Sequence, residues 1–200
     1  MPSKFNLLPQ PRSVDAGAGT LNLSGALIAL AADPAADLYP AGKSAQEALQ
    51  RYAGLNCELV GGANETALLT ITLGSGAGHA EGYRLTISES GIQIVGDDAA
   101  GAFYGVQTLN QLVQTHGKAL PITEITDYPD FPARGVMLDI SRDKVPTMET
   151  LFGLVDWLAS LKINQFQLYT EHTFAYRKHP TVWAKATPIT AEQILELDAY

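Results

Sequence analysis

The sequence is poor in cysteine and in positive charge, and these two shortages exclude several classes of protein. Cys57 is the single cysteine among 200 residues, so no disulfide can form within the chain, and no neighbouring cysteines or histidines accompany it as a structural zinc site would require. Lysine and arginine total 13 against 21 aspartate and glutamate residues, which gives a net charge of −8. This deficit of basic side chains argues against nucleic acid or an anionic membrane surface as the main partner.

Long apolar runs are missing as well. The longest early stretch without a charged side chain, residues 16–32, contains Asn22, Ser24 and three glycines, so we predict no membrane span. Residues 1–6 lack the apolar core of a secretory signal. A cytoplasmic location is therefore the default expectation, with a secreted or periplasmic location as the alternative if the N-terminus has been trimmed. With 46% apolar and 17% charged residues, the chain is expected to fold around a core.

Hydrophobic periodicity predicts a mixture of helices and strands in the first part of the sequence. Apolar residues at helical spacing between Ala41 and Tyr52 predict one helix, and a second helix is expected from an N-cap at Asp98 to Gly117. The predicted strands are residues 21–28, read as one or two strands, and residues 69–73, 83–88 and 92–95. The last two flank a short turn and form a hairpin. We therefore predict an α+β domain in which helices cover a sheet.

The sequence changes character at a proline-containing segment. Pro129 and Pro132 interrupt regular hydrogen-bonded ladders and favour extended backbone in the residues before them. We therefore place a domain boundary in this segment and predict two domains, residues 1–127 and residues 128–200.

The second predicted domain has the order strand, helix, strand, helix. Residues 135–140 form a nearly continuous apolar run, which indicates a strand buried on both faces. A helix is expected at residues 148–161, a short strand at Gln165–Tyr169, and a further helix after a capping box at Thr190. Strands joined by a crossover helix should pair in parallel. This pattern fits the opening part of a (β/α)₈ barrel or of a doubly wound sheet.

A sheet of two parallel strands leaves backbone hydrogen-bonding groups unpaired at both edges. Such a sheet also buries too little apolar surface to stand alone. The sequence therefore predicts either a fragment of a longer polypeptide, with the remainder of a barrel as its missing partner, or a tail packed on the first domain and on a partner.

Polar side chains follow the two late strands. They are Asp139, Ser141, Arg142 and Asp143 after the first strand and Glu171 and His172 after the second. The carboxyl ends of barrel strands meet at one mouth, which would bring Arg142 and Glu171 to the same ligand. Arginine's fixed donors suit paired acceptors such as vicinal sugar hydroxyls or a carboxylate. From spacing alone, a binding pair and a purely structural salt bridge are equally good interpretations.

Aromatic side chains are frequent near the second of these strand ends. They either stack on the face of a sugar or, as is commoner for such residues, pack in a core or an interface. They are Tyr169, Phe174, Tyr176 and Trp183.

Other chemistries lack a sequence signal. The stretch Gly74–Gly78 is G-x-G-x-G with a strand after it instead of a helix, so we interpret it as a flexible turn and not as a phosphate-binding loop. His172 and His179 are seven residues apart in a predicted loop, which is not zinc-site spacing, so neither a metal nor a cofactor is predicted. The sequence contains no Gly-x-Ser-x-Gly pattern for a nucleophilic serine.

Three stretches of the sequence resemble glycoside hydrolase family 20, the β-N-acetylhexosaminidases. They are residues 81–85 (Glu-Gly-Tyr-Arg-Leu), residues 101–112, and residues 127–142, which end in the pattern Asp-x-Ser-Arg. The resemblance extends over essentially the whole chain from Leu7 onward. It implies a non-catalytic N-terminal domain of zincin-like shape that lacks the zinc motif, followed by the first two βα units of a truncated TIM barrel.

The resemblance also implies an activity and site residues. It implies an exo-acting enzyme that hydrolyses terminal N-acetylhexosamine residues of oligosaccharides or glycoconjugates by a substrate-assisted retaining mechanism. Arg142, in the Asp-x-Ser-Arg pattern, is then expected to bind hydroxyls of the terminal sugar. The family usually has an acidic pair after the second strand, where this sequence has Glu171 followed by His172, so we choose Glu171 for the acidic role.

The same resemblance places the catalytic aspartate and glutamate on a later barrel strand, beyond Tyr200. The 200-residue chain by itself is therefore expected to be inactive. The alternative from another class is a non-catalytic carbohydrate-binding or interaction module derived from such an enzyme.

Overall fold

Seven strands in the N-terminal part of the chain form one mixed sheet. The computed structural model describes residues 5–142 and 144–200 and divides the chain into two units, Met1–Asp130 and Phe131–Tyr200. The strands of the first unit are β1 (Ser13–Asn22), β2 (Leu27–Ala31), β3 (Glu58–Gly61), β4 (Leu69–Leu73), β5 (Tyr83–Ser88), β6 (Gly91–Gly96) and β7 (Ala119–Asp127). Their order across the sheet is β1-β7-β5-β6-β4-β2-β3. The pairs β2–β3, β2–β4 and β4–β6 are parallel, and the pairs β5–β6, β5–β7 and β1–β7 are antiparallel.

Two helices, α1 (Tyr39–Ala53) and α2 (Ala99–His116), pack against this sheet. Helix α1 ends at Gly54, whose φ of 62° is a left-handed conformation that glycine adopts without strain. Helix α2 begins after Asp98, whose side chain accepts a hydrogen bond from the N–H of Gly101. Alternate strand residues and the apolar stripes of the helices build the core. Its fully buried members include Ile28, Leu49, Leu69, Ile71, Leu85, Ile94, Leu109, Leu112 and Leu120.

One buried hydroxyl lies inside this core, on Tyr83. Its oxygen is 2.6 Å from Oγ1 of Thr108 and donates a hydrogen bond to Asp127 at 3.3 Å. Burial, reinforced by the Asp127 carboxylate, raises the pKa of Tyr83 well above its ordinary value. The phenol therefore stays protonated and joins β5, α2 and β7 through hydrogen bonds.

The second unit is built on two parallel strands. Strand β8 (Gly135–Asp139) pairs in parallel with β9 (Gln165–Tyr169), and helix α3 (Met148–Ser160) connects them. A single helical turn, α4 (Pro180–Trp183), and helix α5 (Ala191–Ala199) follow. The parallel pairing and the capping box at Thr190 confirm the sequence predictions for these elements.

Strand β8 differs from its prediction, because it is not buried on both faces. On one face Met137 is 58% exposed, whereas on the other face Leu138 packs against the small core that surrounds Ile140 and Leu151, and Val136, near the start of the strand, is 40% exposed. Helices α3 and α5 lie against one face of the two strands, and within the described residues of this unit nothing buries the other face. An apolar run alone does not reveal how many neighbours a strand has.

Three strands of the first unit also differ from the predictions. Strand β3 was not predicted because it has only four residues, and β7 was not predicted because Pro121 interrupts its pattern. Strand β1 begins at Ser13, well before the predicted strand, because its alanines and glycines carry no apolar alternation. The division of the chain after Asp130 falls in the proline-containing segment, and the assignment of two domains with a boundary at residue 127 stays a prediction.

Within the described residues, no helix has both the length and the apolar character required to cross a membrane.

Candidate functional site

Strands β8 and β9 end side by side, and the predicted site residues lie at and just after those ends. Asp139 and Tyr169, the last residues of the two strands, are register partners. Because register partners in a parallel pair point to the same face, both side chains lie on one side of the sheet. Arg142 and Glu171 follow within three residues of the respective strand ends. The topology therefore brings together the two residues that the sequence singled out.

The Arg142 guanidinium lies between two carboxylates. Its Nη2 donates a hydrogen bond to Oε1 of Glu171 at 3.2 Å, and its Nε lies 3.7 Å from Oδ2 of Asp139. The Arg142 side chain is nevertheless 71% exposed, so its remaining donors face solvent. An exposed ion pair contributes only about 0–1 kcal/mol to stability. The fold thus gains little from this pair, whereas a ligand would meet a guanidinium that is already oriented.

Further hydrogen bonds orient the two carboxylates. The N–H and hydroxyl of Ser141 donate to Oδ1 of Asp139 at 2.8 and 2.6 Å. The Ser141 hydroxyl, then its N–H, and the nearby Arg142 charge lower the pKa of Asp139 below its usual range. The Tyr169 hydroxyl donates to Oε1 of Glu171 at 3.2 Å, and this hydrogen bond and the Glu171 charge raise the pKa of Tyr169. At neutral pH the site holds an ionised Asp139 and a protonated Tyr169.

The aromatic residues divide into two groups. Phe174 packs on the core of the second unit and meets Tyr176 edge to face, with ring centroids 5.0 Å apart. The indole N–H of Trp183 donates to the carbonyl oxygen of Tyr176 at 3.0 Å. Phe174 and Tyr176 therefore pack on each other with Trp183 bonded to the backbone of Tyr176, whereas Tyr169 lies beside Arg142 and Glu171. The last of the predicted polar residues after β8, Asp143, lies outside the described residues.

Sequence reasoning missed the contact between Tyr169 and Glu171. Strand alternation does not predict this contact, because Glu171 lies beyond Tyr169, the last residue of β9. The contact also depends on side-chain rotamers, which the sequence pattern does not specify.

The glycine-rich loop after β4 surrounds a carboxylate of the chain itself. The N–H groups of Gly76, Ala77 and Gly78 donate to the Asp97 carboxylate at 2.7 to 3.1 Å. Partial burial by itself would raise the pKa of Asp97, but these N–H groups together with that of His79 lower it. As predicted, the loop is followed by a strand and not by a helix, but it is not the flexible turn that the sequence suggested. Because Asp97 occupies its donors, the turn is held in place by hydrogen bonds and offers no such donors to a phosphate.

Comparisons with known proteins identify a family and several relatives of this chain. The family model described as glycosyl hydrolase family 20, domain 2, matches residues 4–128. The β-hexosaminidase of Vibrio vulnificus is 40% identical over 87 residues, which are 44% of this chain and 10% of that protein. The β-N-acetylhexosaminidase of Cellulomonas fimi is 29% identical over 179 residues, which are 86% of this chain and 36% of that protein.

Solved structures match more of the chain. The N-acetyl-β-hexosaminidase of Streptomyces plicatus matches with a TM-score of 0.84 and 24% identity over 97% of this chain and 43% of its own. The chitobiase of Flavobacterium johnsoniae matches with a TM-score of 0.83 and 26% identity over 98% of this chain and 33% of its own. The chain therefore spans less than half the length of each of these relatives.

Proposed function

Because the chain belongs to glycosyl hydrolase family 20, we propose that it is the N-terminal part of an exo-acting β-N-acetylhexosaminidase. The substrates are terminal N-acetylhexosamine residues of oligosaccharides or glycoconjugates. Curated relatives that carry the names β-hexosaminidase and β-N-acetylhexosaminidase support this proposal. The activity belongs to a longer polypeptide, of which these 200 residues are a part.

The two units have different roles in this proposal. The first unit, with helices α1 and α2 on its sheet, is a non-catalytic domain of zincin-like shape. The second unit is the first two βα units of a TIM barrel, in which helices lie outside and the opposite face of the strands lines the interior. The packing of Leu138, Phe166 and Leu168 on the helical side supports this role. So does the exposure of Met137 and Gln167 on the other face.

Arg142 and Glu171 bind the terminal sugar. The observation that carries this role is the exposed guanidinium of Arg142, braced by Asp139 and Glu171 at the ends of adjacent parallel strands. A guanidinium donates to sugar oxygens, and a neighbouring carboxylate accepts from sugar hydroxyls, so the pair suits adjacent hydroxyl groups. In a TIM barrel the carboxyl ends of the strands form the active-site face.

The chemical step is substrate-assisted, an exception to the usual mechanism with two carboxylates. The oxygen of the 2-acetamido group attacks the anomeric carbon, while a glutamate protonates the departing glycosidic oxygen and an aspartate orients the acetamido group. Water then opens the cyclic intermediate with retention of configuration. The aspartate and glutamate lie beyond Tyr200, and the described residues hold the sugar in place for them.

The proposal is tested with the full-length polypeptide and 4-nitrophenyl β-N-acetylglucosaminide. We expect turnover by the wild type, and Arg142→Ala should lower kcat/KM by about 10- to 150-fold, the scale of a lost charge-assisted hydrogen bond. Arg177→Ala is the matched control. It removes another exposed arginine–carboxylate pair of the second unit, the one with Glu192, and it should leave kcat/KM unchanged.

Each part of the proposal has an outcome that contradicts it. A full-length wild type without turnover would exclude the hydrolase function. An Arg142→Ala variant as active as Arg177→Ala would reduce Arg142 to a structural salt bridge. Turnover by the 200-residue chain alone, at a typical enzymatic rate of about 1 to 10³ per second, would contradict the position of the catalytic acid beyond Tyr200.

A further inference from the structure

Tyr169 has a place in this site that its residue type alone does not reveal. We infer that Tyr169 is a positioning residue: its hydroxyl holds one oxygen of Glu171 against Arg142, so that the other oxygen of the carboxylate is presented to a sugar hydroxyl. The inference rests on the proposed function, since it requires a sugar at Arg142.

The first step of the argument is the sharing of one oxygen. Both Nη2 of Arg142 and the hydroxyl of Tyr169 donate to Oε1 of Glu171, each at 3.2 Å. Two donors fill the ordinary acceptor capacity of a carboxylate oxygen. Across residues 5–142 and 144–200, no hydrogen bond to Oε2 of Glu171 accompanies them. The carboxylate is thus divided into an oxygen used by the protein and an oxygen that is available to a ligand.

The second step is the rigidity of the group that makes this division. Tyr169 is the last residue of β9 and is fixed by its register opposite Asp139, whereas Glu171 lies beyond the strand and its side chain is 37% exposed. A tyrosine ring has only two side-chain torsions, so its hydroxyl is a defined anchor for a longer and freer carboxylate. Without that anchor, Glu171 would keep its contact with Arg142 but would lose its fixed orientation.

The third step is the matching arrangement on the neighbouring strand. Ser141 occupies Oδ1 of Asp139 with its N–H and its hydroxyl, and the other oxygen of Asp139 faces Nε of Arg142. Both carboxylates beside Arg142 are therefore held by a hydroxyl group from their own segment of chain. The hydroxyl of Tyr169 orients the Glu171 carboxylate as the hydroxyl of Ser141 orients that of Asp139.

The test is a double-mutant cycle in the full-length polypeptide. Tyr169→Phe keeps the ring and removes the hydroxyl, and we expect KM for 4-nitrophenyl β-N-acetylglucosaminide to rise about two- to tenfold with kcat nearly unchanged, because a contact to a non-reacting hydroxyl is lost. In a Glu171→Ala background the same change should have no further effect, since nothing remains for the hydroxyl to hold. Calorimetric titration with N-acetylglucosamine measures the same coupling in the binding constant.

Tyr200→Phe is the matched control. The Tyr200 hydroxyl also donates to a carboxylate, that of Asp156, at 3.1 and 3.2 Å, but it joins helices of the second unit and not its strand ends. Its loss should leave KM unchanged.

The outcomes separate this inference from the proposed function. An active wild type whose KM and N-acetylglucosamine affinity are the same in Tyr169→Phe would overturn the inference and leave the function standing. If Tyr169→Phe changed KM equally in the wild type and in the Glu171→Ala background, Tyr169 would have only a structural role. An inactive wild type that binds N-acetylglucosamine through the coupled pair would overturn the hydrolase function and keep the inference, and absence of both turnover and binding would overturn both.

Discussion

At the scale of single residues, Asp97 shows how one carboxylate fixes a loop rich in glycine. Glycine gives the segment Gly74–Gly78 a large conformational freedom that must be lost on folding. The Asp97 carboxylate compensates by accepting N–H groups from three consecutive residues of the loop. The same carboxylate also restricts the residue type at position 82, because a Cβ on Gly82 would lie 2.6 Å from Oδ2 of Asp97. The loop and the carboxylate form one structural feature.

This feature predicts a dependence of stability on pH. The hydrogen bonds lower the pKa of Asp97 in the folded state, so its stabilising effect is present above the unfolded value of about 3.9 and is lost as the pH falls through the lower folded pKa. At pH 7, Asp97→Asn should lower the free energy of unfolding of the first unit by about 1–3 kcal/mol. The difference from the wild type should shrink as the pH is lowered towards 2.

Urea denaturation followed by circular dichroism between pH 7 and pH 2 measures both effects. The control is Glu89→Gln, which neutralises a carboxylate in the exposed turn between β5 and β6 and should change the free energy of unfolding little. A constant difference between Asp97→Asn and the wild type over the whole pH range would rule out the carboxylate as the titrating group.

At the scale of elements, two helical glycines differ in how much space surrounds them. Gly101 lies in the first turn of α2, where an added Cβ would be 2.0 Å from the carbonyl oxygen of Gly82. Gly153 lies inside α3, where an added Cβ would meet nothing within 4 Å. The first glycine permits the close approach of two backbone segments, and the second only weakens a helix.

The same substitution should therefore have opposite effects at these two sites. Gly101→Ala should destabilise the first unit by about 3 kcal/mol, because two backbone segments would have to move apart. Gly153→Ala should stabilise α3 by up to about 1 kcal/mol, the difference in helix propensity. Both tryptophans, Trp157 and Trp183, belong to the second unit. Tryptophan fluorescence therefore measures the unfolding of the second unit in Gly153→Ala, and circular dichroism measures the unfolding of the first unit in Gly101→Ala. Similar shifts for both would refute the steric argument.

Elements with strong apolar periodicity could be predicted from the sequence, and elements without it could not. The apolar stripe from Phe103 to Val113 predicts α2, and the alternation of apolar and polar residues in 83–95 predicts the hairpin β5–β6. In both cases the spacing of the apolar residues shows which face is buried. Strand β1 was only partly predicted, since Ala16, Gly17 and Ala18 carry no such signal. Its partner β7 lies about a hundred residues away in sequence, and local patterns do not encode such pairings.

The candidate site was predictable to a similar degree. The proximity of Arg142 and Glu171 follows from the topology, because the carboxyl ends of adjacent parallel strands meet at one edge. The roles of Tyr169 and Ser141 as hydrogen-bond donors to the two carboxylates do not follow from it. They depend on side-chain torsions and on the exact end of each strand, which sequence patterns locate only to within a few residues.

At the scale of the whole molecule, the two units differ in how much apolar surface they bury. The core of the first unit draws on its strands and on both long helices, with Ile28, Leu69 and Ile94 fully buried. Among the described residues of the second unit, the core cluster contains three buried apolar residues, Ile140, Leu151 and Ile189. In the described part of that unit, β8 and β9 pair only with each other, so backbone hydrogen-bonding groups at both outer edges lack a strand partner.

This difference predicts that the two units fold differently when they are separated. A polypeptide of residues 1–130 should unfold in one cooperative transition, because one core connects its sheet and helices. A polypeptide of residues 131–200 should show no cooperative transition and should bind a hydrophobic dye, because two parallel strands with one covered face do not form a stable core. Urea titration followed by circular dichroism for the first, and by fluorescence of Trp157 and Trp183 for the second, tests both. A sharp transition for residues 131–200 would mean that β8, α3, β9 and α5 are self-sufficient, and the interpretation of this unit as the opening of a larger barrel would lose its energetic basis.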